Sequence, residues 1–209
     1  MAIIVDKIQK RKDIALACKD LFITKGIKNL TISEVASTAK IGKGTIYEYF
    51  KNKEEIVFEI IDILILEHNI DKKIRIDSKP TAKEKIIEFF NFFHDDKYMQ
   101  LRELYKEFIS INLSNQQQDM REFQSKCFDN YLGWFREIIE DGIAKNELIP
   151  EAINLANGLF VIGDGFFITN SCTNINKNLK EELNTFFDTL FKLIGVKKWK
   201  NIYYYCYQL

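Results

Sequence analysis

The chain has 209 residues, two prolines, and 30 basic against 30 acidic side chains, so its formal net charge is zero. This length suits one or two domains with a sizeable core, and long segments with a 3.6-residue apolar period predict an all-α protein. Charged side chains interrupt residues 6–12 and no long uncharged run follows, so we expect a soluble, cytoplasmic protein without a membrane partner.

Residues 31–53 predict two short helices joined by a tight turn. Thr31 and Glu34 have the spacing of a capping box, and the apolar residues after them recur at helical spacing. This first helix should end near Lys40, because two glycines follow closely. The second helix resumes by Thr45 and has one apolar face, so its other face is free.

A capping signal also marks the start of the next helix. Asn52 and Glu55 repeat the same spacing, and Lys53 lies in the first turn, where free backbone N–H groups attract phosphate. The three segments together predict a helix-turn-helix arrangement, which reads DNA.

The motif GKGTIYEYFKNKEEI, preceded by RKDIALACKDLFITKG and TISEVA, resembles the amino-terminal DNA-binding domain of TetR-family (tetracycline-repressor-like) transcriptional regulators. The resemblance covers about residues 8–57. It implies a three-helix helix-turn-helix domain of residues 1–52, followed by a larger helical domain for ligand binding and dimerisation, residues 53–209.

The resemblance further implies a sequence-specific regulator, a homodimeric repressor that a small apolar or aromatic ligand releases from a double-stranded DNA operator. The alternative is a DNA-binding regulator without a small-molecule effector. We predict that Lys43 and Thr45 lie nearest the base edges and that the phosphates are bound from the same surface. The complete set of predicted DNA contacts is Thr31, Ser33, Lys43, Gly44, Thr45, Tyr47, Tyr49 and Lys53.

Three positions depart from the family pattern. Lys40 stands before Ile41 where the family usually has glycine, so we expect a left-handed backbone there at some cost, with Gly42 sharing the strain. Gly42 also replaces the usual polar cap of the recognition helix. Glu48 lies where the family often has a non-acidic side chain, and its carboxylate would face either a cytosine amino group or a phosphate.

The charges are divided unevenly along the chain. Residues 1–53 carry 11 basic and 5 acidic side chains, a net of +6, and the remaining 156 residues carry 19 and 25, a net of −6. A phosphate backbone would therefore attract the amino-terminal part of a chain that is neutral as a whole.

The next segments predict further helices with inward apolar faces. A helix is expected over residues 53–69, and the charged residues 71–80 are interpreted as the connection between the domains. Thr81 and Glu84 cap a helix whose apolar residues extend to Phe93 on more than one face, so we expect it in the interior. Two more helices follow before residue 145.

The last two predicted helices resemble the dimerisation pair of the family. Pro150 suits the first turn of one helix, in which Gly163 lets another helix approach closely. Asn178 and Glu181 cap the other, whose wide apolar stripe covers residues 179–194. Closure of the protomer's own core is the alternative role for both.

By the resemblance, the middle helices enclose a ligand cavity, and a bound ligand moves the helix after residue 52 so that the recognition helices lose their spacing. Aromatic residues are frequent there, which favours an apolar or flat ligand. The predicted ligand contacts, each of which has core packing as its alternative, are Phe89, Phe93, Tyr105, Phe108, Phe128, Tyr131, Trp134 and Asn157.

The remaining reactive residues predict neither a metal site nor an enzyme. Four cysteines lie far apart, which is typical of reduced, packed thiols; a redox-sensing pair of Cys127 and Cys172 is the alternative. His68 and His94 have no partner at ligand spacing, and no cofactor motif occurs. The aromatic tail from Trp199 is expected to pack on the body or across a dimer, and a disordered end or a partner-binding strand is the alternative.

Overall fold

The computed structural model describes residues 6–115, 118–173 and 178–196, and within them it contains nine α-helices and three short 3-10 helices. The predicted all-α class is confirmed. The 3-10 helices are Phe90–Phe93, Asp96–Tyr98 and Pro150–Leu155. The α-helices are α1 Lys7–Lys25, α2 Ile32–Thr38, α3 Lys43–Tyr49, α4 Lys53–Asp77, α5 Ala82–Phe89, α6 Met99–Asn115, α7 Gln118–Ala144, α8 Ala156–Thr173 and α9 Leu179–Ile194.

The chain divides into two compact units. The first comprises residues 1–75 and 92–128, and the second comprises residues 76–91 and 129–209. The first unit therefore contains α1 to α3, nearly all of α4, α6 and the beginning of α7. The functional boundary after residue 52 stays a prediction.

The first unit has one hydrophobic cluster. Phe22 of α1, Ile46 of α3 and Ile60 of α4 are buried in it, together with Phe108 of α6 and Met120 of α7. The helix-turn-helix segment thus shares its core with helices that come much later in the sequence.

Capping side chains begin the helices where the sequence predicts them. The Thr31 hydroxyl accepts from the Glu34 N–H at 3.3 Å, while the Thr31 N–H donates to the Glu34 carboxylate at 3.0 Å. Asn52 Oδ1 accepts from the Glu55 N–H at 2.9 Å. Thr81 and Asn178 cap α5 and α9 in the same way. These four predicted starts are confirmed.

The predicted end of α4 near residue 69 is wrong, because α4 continues to Asp77. The charged residues that we interpreted as a connection form ion pairs: Arg75 Nη1 lies 3.0 Å from Asp95 Oδ2 and 4.0 Å from Asp71 Oδ2. The next residue, Ile76, is buried. These contacts keep the last two turns helical.

The predicted helix through Phe93 ends at Phe89 instead, and a 3-10 helix follows. Phe90 is buried and stacks on Phe187 of α9 with ring centroids 5.0 Å apart. A Cβ added at Gly163 of α8 would lie 2.0 Å from the Phe90 ring. The predicted close approach at Gly163 is therefore confirmed, although the approaching group is a ring.

In the second unit α9 packs against α5 and α8, and its predicted apolar stripe is divided. Leu183 and Phe187 face inward and are buried within the protomer, whereas Phe186, Leu190 and Phe191 are only half-buried. The outward face of α8 is apolar, because Val161, Ile162 and Ile168 stay 39–47% exposed.

One stretch of the described residues, Pro150–Thr173, is long and apolar enough to cross a membrane by length and composition alone. Core and interface helices of soluble proteins have the same composition. Leu159, Phe160 and Phe167 of this stretch are buried within the protomer.

The three cysteines that the structure describes are free thiols. Cys18 is buried, Cys127 is half-buried and Cys172 is exposed. Burial raises the pKa of the Cys18 and Cys127 thiols to about 11, so both stay protonated at neutral pH. Cys206 and the aromatic tail from Trp199 lie outside the described residues.

Candidate nucleic-acid interface

The turn between α2 and α3 is a Schellman motif. The Ile41 N–H donates to the Ala36 carbonyl at 3.0 Å and the Lys40 N–H to the Ser37 carbonyl at 3.2 Å. Lys40 has φ 55°, so its predicted left-handed backbone is confirmed. Gly42 has φ −68° and ψ 149°, so the prediction that Gly42 shares the strain is wrong.

The recognition helix α3 is anchored on one side and free on the other. Ile46 is fully buried, and Phe50 after the helix is almost so. Gly42 begins the helix without a side-chain cap, as the sequence predicts. The predicted contacts that are exposed on this helix are Lys43, Gly44 and Tyr47, and those that are half-buried are Thr45 and Tyr49.

Thr31 and Ser33 are both exposed at the start of α2. The Thr31 hydroxyl proton is already engaged in a hydrogen bond, because the hydroxyl donates to the Glu34 carboxylate at 2.9 Å. Lys25 forms an ion pair with that carboxylate as well. These hydrogen bonds, first from Lys25 and then from Thr31, lower the pKa of Glu34 and keep it ionised.

Lys53 has an additional role that the sequence did not suggest. Its Nζ lies 3.1 Å from the Ile27 carbonyl and 3.1 Å from the Lys28 carbonyl. A lysine ammonium has three N–H donors, so one remains for a phosphate oxygen. Lys53 thus joins the beginning of α4 to the α1–α2 turn.

Arg11 is a further residue of this region, and we did not predict it. Its guanidinium donates to the Tyr49 carbonyl, lies 3.2 Å from Glu59, and stacks 4.3 Å above the Phe50 ring. It therefore fixes the end of α3 on α1 and α4. The available signal was its position three residues before the buried Ile14, on the inward face of α1.

The predicted ligand residues take part in several ring contacts. In the second unit Phe89 meets Trp134 at 5.7 Å and Tyr131 at 6.4 Å between ring centroids. In the first unit Tyr105 contacts Phe92 at 6.3 Å. Phe93 also contacts Phe92, and Phe108 contacts both Phe58 and Phe123. The last two predicted ligand residues are Phe128, which is half-buried, and Asn157 on α8, which is exposed.

A cleft of about 590 Å³ lies in the first unit beside the end of α1. Ile23 and Gly26 line it on one side, and Met99, Leu104 and Glu107 of α6 line the other. The cleft lies between the end of α1 and α6, a position that the sequence did not predict.

A family model described as bacterial regulatory proteins, tetR family, matches residues 14–60. The uncharacterised HTH-type transcriptional regulator YhgD of Bacillus subtilis strain 168 is 31% identical over 148 residues, which span 68% of this chain and 74% of that protein. The family-model match falls on the segment whose geometry fits a DNA-reading surface.

Two solved structures have the same fold. A TetR-family transcriptional regulator from Cytophaga hutchinsonii superposes with a TM-score of 0.74 at 17% identity, covering 93% of this chain and 99% of its own. FadR from Bacillus subtilis, in complex with stearoyl-CoA, superposes with a TM-score of 0.60 at 22% identity, covering 87% and 95%.

Proposed function

This chain belongs to the TetR family of bacterial regulatory proteins, and we propose that it acts as a homodimeric repressor that a small apolar ligand releases from its operator in the cytoplasm. The main support for DNA binding in this proposal is the exposed face of α3. Lys43 and Tyr47 are exposed on that face, while Ile46 anchors the opposite side of the helix.

The charges and the donors of this surface support DNA as the partner. The amino-terminal 53 residues have a net charge of +6. Lys43 can reach a guanine edge, and Lys53 retains one donor for a phosphate. Base contacts determine the preferred sequence, and phosphate contacts determine how strongly binding depends on salt.

In vitro selection from random duplexes would supply an operator for the test. Lys43→Ala should lower the preference at one base pair by about 1–3 kcal/mol. Lys53→Ala should weaken all sequences similarly and flatten the salt dependence by about one unit per half-site. Lys145→Ala in the second unit removes the same charge and should change neither property. An unchanged salt slope in Lys53→Ala would contradict the phosphate contact.

The homodimer rests on the outward face of α8. Val161, Ile162 and Ile168 are 39–47% exposed there, and apolar side chains grouped on one side of a helix are typical of a protein–protein contact. Two copies would also match the two-fold symmetry of a repressor operator.

The effector part rests on the ring cluster around Phe89, which lies among the helices where we predict the ligand. Trp134 and Tyr131 are half-buried at its edge. The FadR structure is a complex with stearoyl-CoA, so this is the first compound to titrate. Stearate and coenzyme A should each be titrated separately. In a Trp199→Phe variant, Trp134 is the remaining tryptophan, and its fluorescence should change as operator affinity falls.

The direct ring contacts of Phe89, at 5.3 Å to Phe135 and 6.0 Å to Phe160, favour a second candidate, a DNA-binding regulator without an effector. Under this alternative, apolar compounds change neither Trp134 fluorescence nor operator affinity. A coupled change in both would support the effector, because linkage between two sites is reciprocal.

A further inference from the structure

The turn of residues 26–30, between α1 and α2, is held from two sides. On one side Lys53 of α4 donates to the carbonyls of Ile27 and Lys28, each at 3.1 Å. On the other side the Lys28 N–H donates to Glu107 Oε1 of α6 at 2.9 Å. The peptide groups next to Lys28 are thus bound by both α4 and α6.

The contact between α6 and the turn is close. Gly26 has φ 74°, and a Cβ added there would lie 2.6 Å from Glu107 Oε2. Glycine is needed at this position both for the left-handed backbone and for the space that the carboxylate occupies. The Glu107 side chain therefore fits against one particular conformation of the turn.

The turn determines where α2 begins. Ile27 and Leu30 are buried at its two ends, and Thr31 directly after it caps α2. Helix α2 in turn packs against α3. Any shift of the turn relative to α6 would therefore move the first helix of the DNA-reading motif.

We propose that Glu107 is a positioning residue for DNA binding: its carboxylate holds the α1–α2 turn, and through that turn it sets the placement of α2 and α3. This inference rests on the proposed DNA-binding function. The Glu107 contact also connects α6 directly to the turn that precedes α2 and α3, in addition to the connection through Lys53 of α4.

The first test is operator binding by three variants. Glu107→Leu removes the acceptor for the Lys28 N–H and should weaken binding to the selected duplex about tenfold. Glu107→Gln keeps an acceptor oxygen at the same place and should restore affinity to within about threefold of the wild type. Glu103→Leu, one turn earlier on α6, is the control and should bind within about twofold, because Glu103 pairs with Lys106 on its own helix.

Rescue by glutamine separates loss of the hydrogen-bond acceptor from loss of the negative charge, since both variants remove the same charge. Equal losses in the leucine and glutamine variants would overturn the proposal, and so would wild-type affinity in Glu107→Leu.

Hydrogen exchange supplies a readout that needs neither DNA nor a stable leucine variant. The Lys28 amide should be protected in the wild type, still protected in Glu107→Gln, and exchange at least tenfold faster in Glu107→Ala. A Lys28 amide that exchanges freely in the wild type would overturn the inference. Failure to select any duplex would instead count against the proposed function, while the exchange rates would still decide the role of Glu107.

Discussion

His68 shows how burial can dominate the protonation of a titratable residue. Its side chain is 7% exposed, its ring meets Tyr98 at 4.5 Å and Phe92 at 5.1 Å, and its Nδ1 has no hydrogen-bond partner among the residues that the structure describes. Burial lowers the pKa of His68 to about 3, and the nearby Lys72 lowers it further. The imidazole is therefore neutral in the folded protein at physiological pH.

This neutral histidine predicts a particular loss of stability in acid. In the unfolded chain His68 binds a proton below about pH 6.5, whereas in the folded chain it does so only near pH 3. Above pH 6.5 the free energy of unfolding should thus be insensitive to His68. As the pH is lowered from 6.5 to 3, the free energy of unfolding should decrease by up to about 1.4 kcal/mol per pH unit.

Denaturant unfolding of the full chain at pH 7, 6 and 5 would measure the effect. His68→Leu should have a shallower slope than the wild type over this range, because the titrating group is gone. Equal slopes in the wild type and in His68→Leu would show that His68 is protonated in the folded state.

The sequence could identify residues whose contacts are with near neighbours in the chain. It could not identify the contacts of residues whose partners lie far away in the chain. The left-handed backbone of Lys40 was expected from the glycine that the family usually has there, and the structure confirms it in a turn whose hydrogen bonds join only residues 36–41. The role of Arg11 could not be predicted, because its partners Tyr49 and Glu59 lie 38 and 48 residues away. The same holds for Glu107, which is 79 residues from Lys28.

At the scale of helices, starts were more predictable than ends. A helix start is specified by a side chain and an N–H three residues apart, as at Thr31 and Asn178. The end of α4 depends instead on Arg75 reaching Asp95, and the end of α5 on Phe90 reaching Phe187. Such contacts join distant segments, so a local pattern does not contain them.

Two glycines on neighbouring helices of the second unit give opposite expectations. In Gly163→Ala the new methyl would lie 2.0 Å from the Phe90 ring, which is buried and cannot move freely. We expect a loss of about 1–3 kcal/mol of unfolding free energy from overpacking. In Gly133→Ala on α7 the new methyl would meet no atom from beyond its own helix backbone within 4 Å in the described part of the chain, and the variant should gain up to about 1 kcal/mol from helix propensity.

Urea unfolding midpoints would measure both changes. Adding Phe90→Leu to Gly163→Ala should recover part of the loss if the ring causes it, since the smaller side chain makes room for the methyl. A gain in stability for Gly163→Ala alone would mean that α8 and Phe90 separate more easily than their packing indicates.

At the scale of the whole molecule, the charge division and the apolar face of α8 lie in different parts of the sequence. The basic residues concentrate in the first 53, where DNA would bind. The exposed apolar residues Val161, Ile162 and Ile168 lie far along the chain, on α8. The apolar stripe of α9 that we predicted for dimerisation is largely used within the protomer, where Phe187 is 1% exposed.

The difference in burial between α9 and α8 decides which substitution can test the dimer. A charge at Phe187 would disrupt the protomer core, since its ring stacks on Phe90, whereas Val161 is 47% exposed and can accept a charge in a folded monomer. Val161→Glu should therefore leave the helical signal unchanged and yield monomers, because an obligate interface of about 2,000 Å² or more tolerates a buried, unpaired charge poorly.

Light scattering at micromolar concentration would measure the mass of each species. The matched control is Asn130→Glu, which adds the same charge at an exposed position of α7 and should leave the wild-type mass unchanged. Monomers of Val161→Glu should also lose most of their operator affinity, since a single recognition helix contacts only one half-site. A wild-type protein that is already monomeric, or a Val161→Glu variant with the wild-type mass, would contradict α8 as the dimer face.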